Sequence, residues 1–336
     1  MPSRQPRRRL LGALAVPLAL LAATACSTAN SAGPGGSSDG ATRTFKADNG
    51  KVEIPEKPER VVATGYAVPA LIEADASLVG ISGFRRSLPM MSAQDRKTYD
   101  GLKKIAGETA AETNYEAIAS VKPDLIVVGV PAPVLGELDM ERLESIAPVV
   151  AVGPTLPNAW RKQSERQSDA VGRTENFAGN RTAYEKQAAR LAEKYEKALD
   201  GKDFGHLGAY AEGGKGTFQR EFAGSWGTNI AEDVGVHYYG EVRKKLGGSR
   251  DTSEYPAIEE LTASFEDADA ITYTVDQHGR PAKSVEYVLK STLWKNLPAV
   301  KAGEVYPLRH TEATTYTQAR KTLDAIDKAF APLLED

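Results

Sequence analysis

A long amphipathic segment in the middle of the chain constrains the fold more than any other feature. Over residues 174–199, apolar side chains recur at the i, i+3, i+4 and i+7 spacing of a single helix face. These positions are Phe177, Tyr184, Ala188, Leu191, Tyr195 and Leu199. A continuous helix of this length runs about 39 Å. We therefore predict one long helix that can join two lobes lying side by side.

On both sides of this segment, short apolar runs alternate with helical patterns. In the first half, strands are predicted over 60–64, 78–82, 124–129 and 149–152, with helices over 70–76, 114–121 and 140–146. In the second half, strands are predicted over 207–211, 217–222, 270–275 and 304–308, with helices over 229–234, 258–263, 291–297 and 319–330. Such alternation predicts an α/β fold with two lobes, over residues 43–173 and 203–336, and a linking helix over 174–202.

The N-terminus reads as an export signal that ends at the only cysteine of the chain. Arg4, Arg7, Arg8 and Arg9 precede an apolar run over residues 10–23, which is shorter than the roughly 20 residues of a spanning helix. Cys26 follows small residues and has no partner for an internal disulfide. We predict a signal peptide over residues 1–25 and a lipid on Cys26. Ordinary secretory cleavage and twin-arginine export stay open as alternatives.

Residues 26–42 are rich in glycine, serine and alanine, which predicts a flexible linker between the lipid and the folded body. The expected location is the extracytoplasmic face of the cell membrane. The net charge of −3 over 336 residues gives no basic field for nucleic acid. The four histidines are scattered, so no metal site and no cofactor is expected, and no nucleotide-binding or nucleophile motif suggests an enzyme.

Several short motifs resemble the substrate-binding lipoproteins of ferric-siderophore ABC importers, the class whose lobes are joined by one rigid helix. The matching segments are residues 58–62, 114–118, 122–127, 146–148, 294–303 and 305–306. Among these proteins the chain looks most like the ferrichrome and ferrioxamine binders of Gram-positive bacteria. The resemblance implies a monomer that carries iron as a ferric siderophore, not as a cofactor, to an ABC permease and its ATPase.

A ferric hydroxamate is already coordinated by its own oxygens, so the protein needs cationic donors and aromatic faces instead of iron ligands. Arginines and aromatic residues close to predicted strand ends, where open α/β sheets bind ligands, are the candidates. They are Tyr66, Arg85, Arg86, Arg220, Trp226, Tyr255, Arg309 and Tyr316, of which we expect Arg85, Arg220, Trp226 and Tyr255 to contribute most.

The resemblance also implies one acidic docking residue for the permease on each lobe. Glu232 fits the pattern of the second lobe, with Asp233 beside it, whereas Glu73 lies one turn after the usual position in the first lobe.

Other cargoes remain open at this stage. A catecholate siderophore could use Arg243, Lys244 and Lys245, and haem could take Tyr66 or Tyr255 as an axial ligand. Cobalamin is a further alternative, and a secreted enzyme is the alternative from another class.

Overall fold

The computed structural model describes residues 40–211, 216–245 and 251–334. Cys26, the predicted signal peptide and most of the predicted linker lie outside these residues. Within the described ranges, no helix combines the length and the apolar character needed to cross a membrane. The described chain forms two α/β lobes with separate sheets and a long helix between them in sequence, so the predicted fold class is confirmed.

The first lobe is built on a parallel sheet of five strands in the order β5-β4-β3-β6-β7. All five residues of β6 are buried, as predicted from its unbroken apolar run. A separate antiparallel hairpin, β1-β2, precedes this sheet. The elements of this half are β1 (Thr42–Ala47), β2 (Gly50–Pro55), β3 (Val61–Gly65), α1 (Ala67–Glu73), β4 (Leu78–Ser82), α2 (Ala93–Gly101), β5 (Lys104–Ala106), α3 (Tyr115–Ser120), β6 (Leu125–Gly129), α4 (Ala132–Leu135), α5 (Met140–Glu144), β7 (Val149–Ala151), α6 (Trp160–Ala170) and α7 (Thr174–Leu199).

The second lobe has a mixed sheet. Strands β8, β12 and β13 are parallel, with β10 parallel to β8, whereas β9 and β11 form antiparallel pairs at one side. The elements are β8 (Asp203–Gly208), β9 (Gln219–Glu221), β10 (His237–Tyr238), β11 (Ser253–Glu254), α8 (Leu261–Phe265), β12 (Ala270–Thr274), α9 (Lys283–Lys290), α10 (Thr292–Asn296), α11 (Pro298–Ala302), β13 (Val305–Leu308) and α12 (Tyr316–Phe330). The carboxyl ends of the parallel strands therefore meet at one edge, as they do in the first lobe.

Helix α7 has the predicted bounds, and all six predicted apolar positions are buried. Its buried face packs mainly against α12 and the short 3-10 turn Glu232–Val234 of the second lobe, and against α6. Helix α6 also packs against α1 of the first lobe. Two consecutive helices thus connect the lobes, with α6 contacting both of them and α7 mainly the second.

Several sequence predictions differ from the structure. The strand predicted over 207–211 is β8, which begins earlier and spans Asp203–Gly208. The predicted helix over 229–234 is a series of turns that ends in the 3-10 turn Glu232–Val234. Helix α6 was not predicted, because its buried side chains include polar ones and leave no apolar stripe. Among these, Gln167 Nε2 donates to the carbonyl of Val152 at 2.8 Å and Ser164 Oγ donates to the carbonyl of Trp160 at 2.8 Å.

Candidate functional site

Two side chains of the first lobe reach the carboxyl edge of its sheet. Tyr66 directly follows β3, and Arg86 lies in a 3-10 turn after β4. The end of β3 approaches β6 so closely that a Cβ on Gly65 would lie 2.5 Å from the carbonyl oxygen of Gly129. Glycine at these strand ends therefore allows the Tyr66 amide to donate to that same carbonyl at 2.8 Å.

The second lobe contributes Trp226 from the turn that follows β9. Three hydrogen bonds hold this turn: the Gly227 amide donates to Glu221 Oε2 at 2.5 Å, Thr228 Oγ1 donates to the Phe222 carbonyl at 2.7 Å, and the Ser225 amide donates to Thr228 Oγ1 at 2.9 Å. The Trp226 ring stacks on Tyr66 across the lobes, with ring centroids 6.3 Å apart and planes only 10° from parallel. The turn therefore brings an aromatic face of the second lobe onto one of the first.

The guanidinium of Arg86 lies against both rings. Its Cζ is 4.9 Å from the Trp226 ring centroid and 5.4 Å from that of Tyr66, which is cation–π distance. Its Nη1 donates to the Tyr66 hydroxyl at 2.6 Å, and its Nη2 lies 3.3 Å from both the Tyr210 hydroxyl and Glu312 Oε2. We call these five residues the interlobe cluster. It combines one cationic donor with aromatic faces, the chemistry expected of a receptor for oxygen-rich chelates, and it also contains one carboxylate.

A cavity of about 370 Å³ adjoins the interlobe cluster. Arg86, Pro89 and Met90 line it from the first lobe. The second lobe lines it with residues near the carboxyl ends of β8, β12 and β13, namely Ala209, Thr274, Asp276, Arg280, Thr311 and Glu312. The cavity thus lies where ligands bind in open α/β sheets.

Beneath the Trp226 turn lies a buried polar network. The ring nitrogens of His206 are 2.7 Å from Thr272 Oγ1 and 3.1 Å from Thr274 Oγ1, and Glu221 Oε2 is 3.8 Å from His206 Nε2. Burial lowers the pKa of His206 to about 3 and raises the pKa of Glu221 to about 7. His206 is therefore neutral at physiological pH and serves as a packed hydrogen-bonding group inside the lobe.

The structure brings together three of the eight predicted ligand-binding residues, Tyr66, Arg86 and Trp226. Arg85 extends outward: its side chain is 80% exposed and its Nε lies 2.9 Å from Glu108 Oε2. The sequence reasoning missed Tyr210 and Glu312. Glu312 follows β13, so the strand-end rule applied to that strand would have found it. Tyr210 follows β8 in the structure but lies inside the strand predicted over 207–211, so the rule could not have found it.

The remaining predicted residues lie elsewhere in the second lobe. Arg220 is buried among the rings of Phe222, Tyr239 and Phe265, and this burial lowers its pKa. It lines a small pocket with Tyr255, together with Arg243, Lys244 and Glu254. Arg309 lines a different groove with Lys321 and Lys328, and Tyr316 is buried in an aromatic cluster with Trp160, Phe177 and Tyr184.

The two predicted docking carboxylates have different surroundings. Glu73 lies at the contact between the lobes, where the Thr315 hydroxyl of the second lobe donates to its Oε1 at 2.5 Å. Burial raises the pKa of Glu73 to about 8. Glu232 is partly exposed and accepts a hydrogen bond from the Gly224 amide at 2.9 Å, and Asp233 forms an ion pair with Arg161.

Among the described residues, no group of three histidine, cysteine or acidic side chains is arranged to hold a metal ion. The interlobe cluster can donate hydrogen bonds to the oxygens of a metal chelate and pack aromatic faces on its organic part.

Comparison with known proteins places the chain in a family. Residues 61–311 match the model of the periplasmic binding protein family, and the chain belongs to that family. This confirms the expectation of a binding protein rather than an enzyme.

Individual relatives are similar over most of their length. The iron(3+)-hydroxamate-binding protein FhuD of Bacillus subtilis (strain 168) is 28% identical over 311 residues, covering 89% of this chain and 90% of the relative. The probable siderophore-binding lipoprotein YfiY of the same organism is 26% identical, covering 93% and 95%. The solved siderophore periplasmic binding protein from the fuscachelin gene cluster of Thermobifida fusca is 28% identical, with a TM-score of 0.65, covering 83% of this chain and 98% of that one.

We predict that Glu73→Gln removes part of the pH dependence of stability. The folded protein keeps the Glu73 proton up to a pH of about 8, whereas the unfolded chain loses it in the ordinary glutamate range. The folded state therefore binds more protons in this window, and the free energy of unfolding falls as pH rises. Glutamine cannot ionise. Between about pH 5 and about pH 8, the free energy of unfolding should therefore fall by roughly 1–3 kcal/mol less in the variant than in the wild type.

Urea denaturation at the two pH values measures this difference. Glu116→Gln is the matched control, because the Glu116 side chain is 91% exposed and should leave the pH dependence as in the wild type. Identical pH dependence in the wild type and Glu73→Gln would contradict the prediction.

Proposed function

We propose that this member of the periplasmic binding protein family binds a ferric hydroxamate siderophore at the interlobe cluster and delivers it to an ABC permease. The observation that carries the proposal is the Arg86 guanidinium, which lies against one aromatic ring from each lobe at the edge of a cavity. Hydroxamate oxygens are natural acceptors for such a group, and the rings match the apolar linkers of the chelate. A hydroxamate-binding relative with 28% identity supports the same cargo.

The proposal requires that the chelate contact both lobes. Tyr66 and Arg86 belong to the first lobe, and Trp226, Tyr210 and Glu312 belong to the second. A ligand that replaces part of the Arg86 contacts would therefore change contacts in both lobes. Trp226 is the spectroscopic reporter, because its ring is part of the cluster and is partly exposed.

Arg86→Ala tests the site. Loss of a charge-assisted donor should weaken binding of ferrichrome by about 10- to 100-fold, equivalent to about 1.5–3 kcal/mol. Titration of tryptophan fluorescence with ferrichrome, ferrioxamine B, a ferric tris-catecholate and haemin measures the affinity and compares the alternative cargoes.

The matched control is Arg85→Ala, which removes the neighbouring arginine on the outside of the same turn. It should keep the wild-type affinity, because Arg85 pairs with Glu108 and not with the interlobe cluster. Equal weakening in both variants would place the site elsewhere, and binding of haemin but of no ferric siderophore would refute the proposed cargo.

For delivery, we propose that Glu232 contacts the permease, since a partly exposed carboxylate offers a charge complementary to arginines on a partner. Glu232→Ala should lower siderophore uptake by cells partially while the affinity for ferrichrome stays at the wild-type value. Glu266→Ala, an exposed carboxylate of the same lobe, is the control. Because Glu232 also accepts from Gly224 near the Trp226 turn, a loss of affinity would instead assign it a structural role.

We also propose that Cys26 carries the lipid that holds the protein on the outer face of the cell membrane. A relative named as a lipoprotein, aligned over most of both chains, supports this. Cys26→Ser should release the protein into the medium and abolish incorporation of radioactive palmitate. Full membrane retention of the variant would contradict the lipid anchor.

A further inference from the structure

Glu312 is the carboxylate of the interlobe cluster. It lies in the segment between β13 and α12, and its Oε2 is 3.3 Å from Arg86 Nη2. The side chains of Arg86 and Glu312 are 29% and 27% exposed, so this ion pair is screened less than a surface pair. Glu312 therefore occupies, from the opposite lobe, a position at the guanidinium that a ligand oxygen would need.

The charged groups around the cavity are balanced. Besides Arg86 and Glu312, the lining contains Arg280 and Asp276, which form an ion pair of their own at 2.9 Å. The formal charges of these two arginines and two carboxylates cancel, so together they offer no net positive charge to an anion. A highly anionic chelate would meet Glu312 beside the only arginine of the interlobe cluster.

We propose that Glu312 sets the charge selectivity of the cleft by competing with the cargo for Arg86 and by repelling anionic chelates. This inference rests on the proposed function and refines it: the preferred cargo is a neutral or cationic ferric chelate. An oxygen of a neutral chelate replaces Glu312 at the Arg86 guanidinium. Because the chelate has no net charge, the nearby carboxylate does not repel it. A chelate with several negative charges gains the same contact but suffers repulsion from Glu312 at short range.

Glu312→Gln tests the role of the charge with little change of shape. Titrations of the full-length protein with neutral ferrichrome and with a highly anionic ferric tris-catecholate, at one ionic strength, give the ratio of the two affinities. We expect wild type to prefer ferrichrome. The variant should bind the tris-catecholate at least about 10-fold more tightly than wild type and ferrichrome within about threefold of wild type, which shifts the ratio.

Two further variants isolate the effect. Glu312→Asp keeps the charge and should keep the wild-type preference for ferrichrome. Glu266→Gln removes an exposed carboxylate of the same lobe that does not line the cavity, and should change the ratio by less than about threefold. Circular dichroism confirms that each variant is folded.

The outcomes separate this inference from the proposed function. If wild type binds ferrichrome but Glu312→Gln leaves the ratio unchanged, or Glu266→Gln shifts it equally, Glu312 is not the selectivity residue and the proposed function stands. Equal tightening for both chelates would also overturn the inference, because it shows competition without selectivity. If wild type binds no ferric hydroxamate, the proposed function itself fails.

Discussion

The arrangement of the two lobes depends on an aromatic contact where α6, α7 and α12 meet. Trp160 packs edge-on against Tyr184 and Tyr316, at centroid distances of 6.0 and 4.9 Å. The indole nitrogen of Trp160 also donates to Asn229 Oδ1 at 3.0 Å, only three residues after Trp226. The same contact that joins the helices therefore also fixes the turn that carries Trp226. Aromatic pairs of this kind contribute about 0.5–1.5 kcal/mol each beyond the burial of their surface.

The second support of the site is polar and buried. Glu221 holds the amide of Gly227 from below, and the packing is so close that a Cβ on Gly227 would lie 2.0 Å from His206 Nε2. The backbone at Gly227 thus rests directly on the imidazole. A buried polar group that lacks a partner costs about 1–3 kcal/mol. This network therefore favours one conformation of the turn, and the position of Trp226 follows from it.

The sequence predicts those parts of the molecule whose pattern is local. The unbroken apolar run of β6 and the apolar stripe of α7 identify both elements. Helix α6 could not be identified in this way, because Gln163 and Gln167 are buried there. Such burial depends on partners distant in the chain, which a local pattern does not contain.

The candidate site shows the same division. Tyr66 could be proposed because it follows a predicted strand of a parallel sheet, whose strands end at one edge. Trp226 also follows a predicted strand, but that strand, β9, is antiparallel, so the turn after it brings the ring to the cleft. Arg220 was expected beside them, but it lies within β9, where neighbouring side chains point to opposite faces. Gln219 and Glu221 bracket it in sequence, and Arg220 packs on Phe265 of α8, whereas Glu221 lies beside His206. The antiparallel pairing of β9, which the sequence does not reveal, decides which residues approach the cleft.

In the interlobe cluster, the charged donor Arg86 has hydrogen-bond acceptors within the protein even though no ligand is present. Arg86 already has acceptors at both terminal nitrogens and rings against its face, so a chelate that binds there as proposed would exchange partners and would not gain every contact anew. Because a hydrogen bond between protein groups is replaced by one to the ligand, the net gain is the difference between the two. The exception is Arg86 Nε, which is buried and has no acceptor within the part of the chain that the structure describes. A chelate oxygen or a bridging water that satisfies this donor recovers a cost of about 1–3 kcal/mol. Under the proposed function, discrimination between cargoes would then depend on which chelates can reach Arg86 in the presence of Glu312.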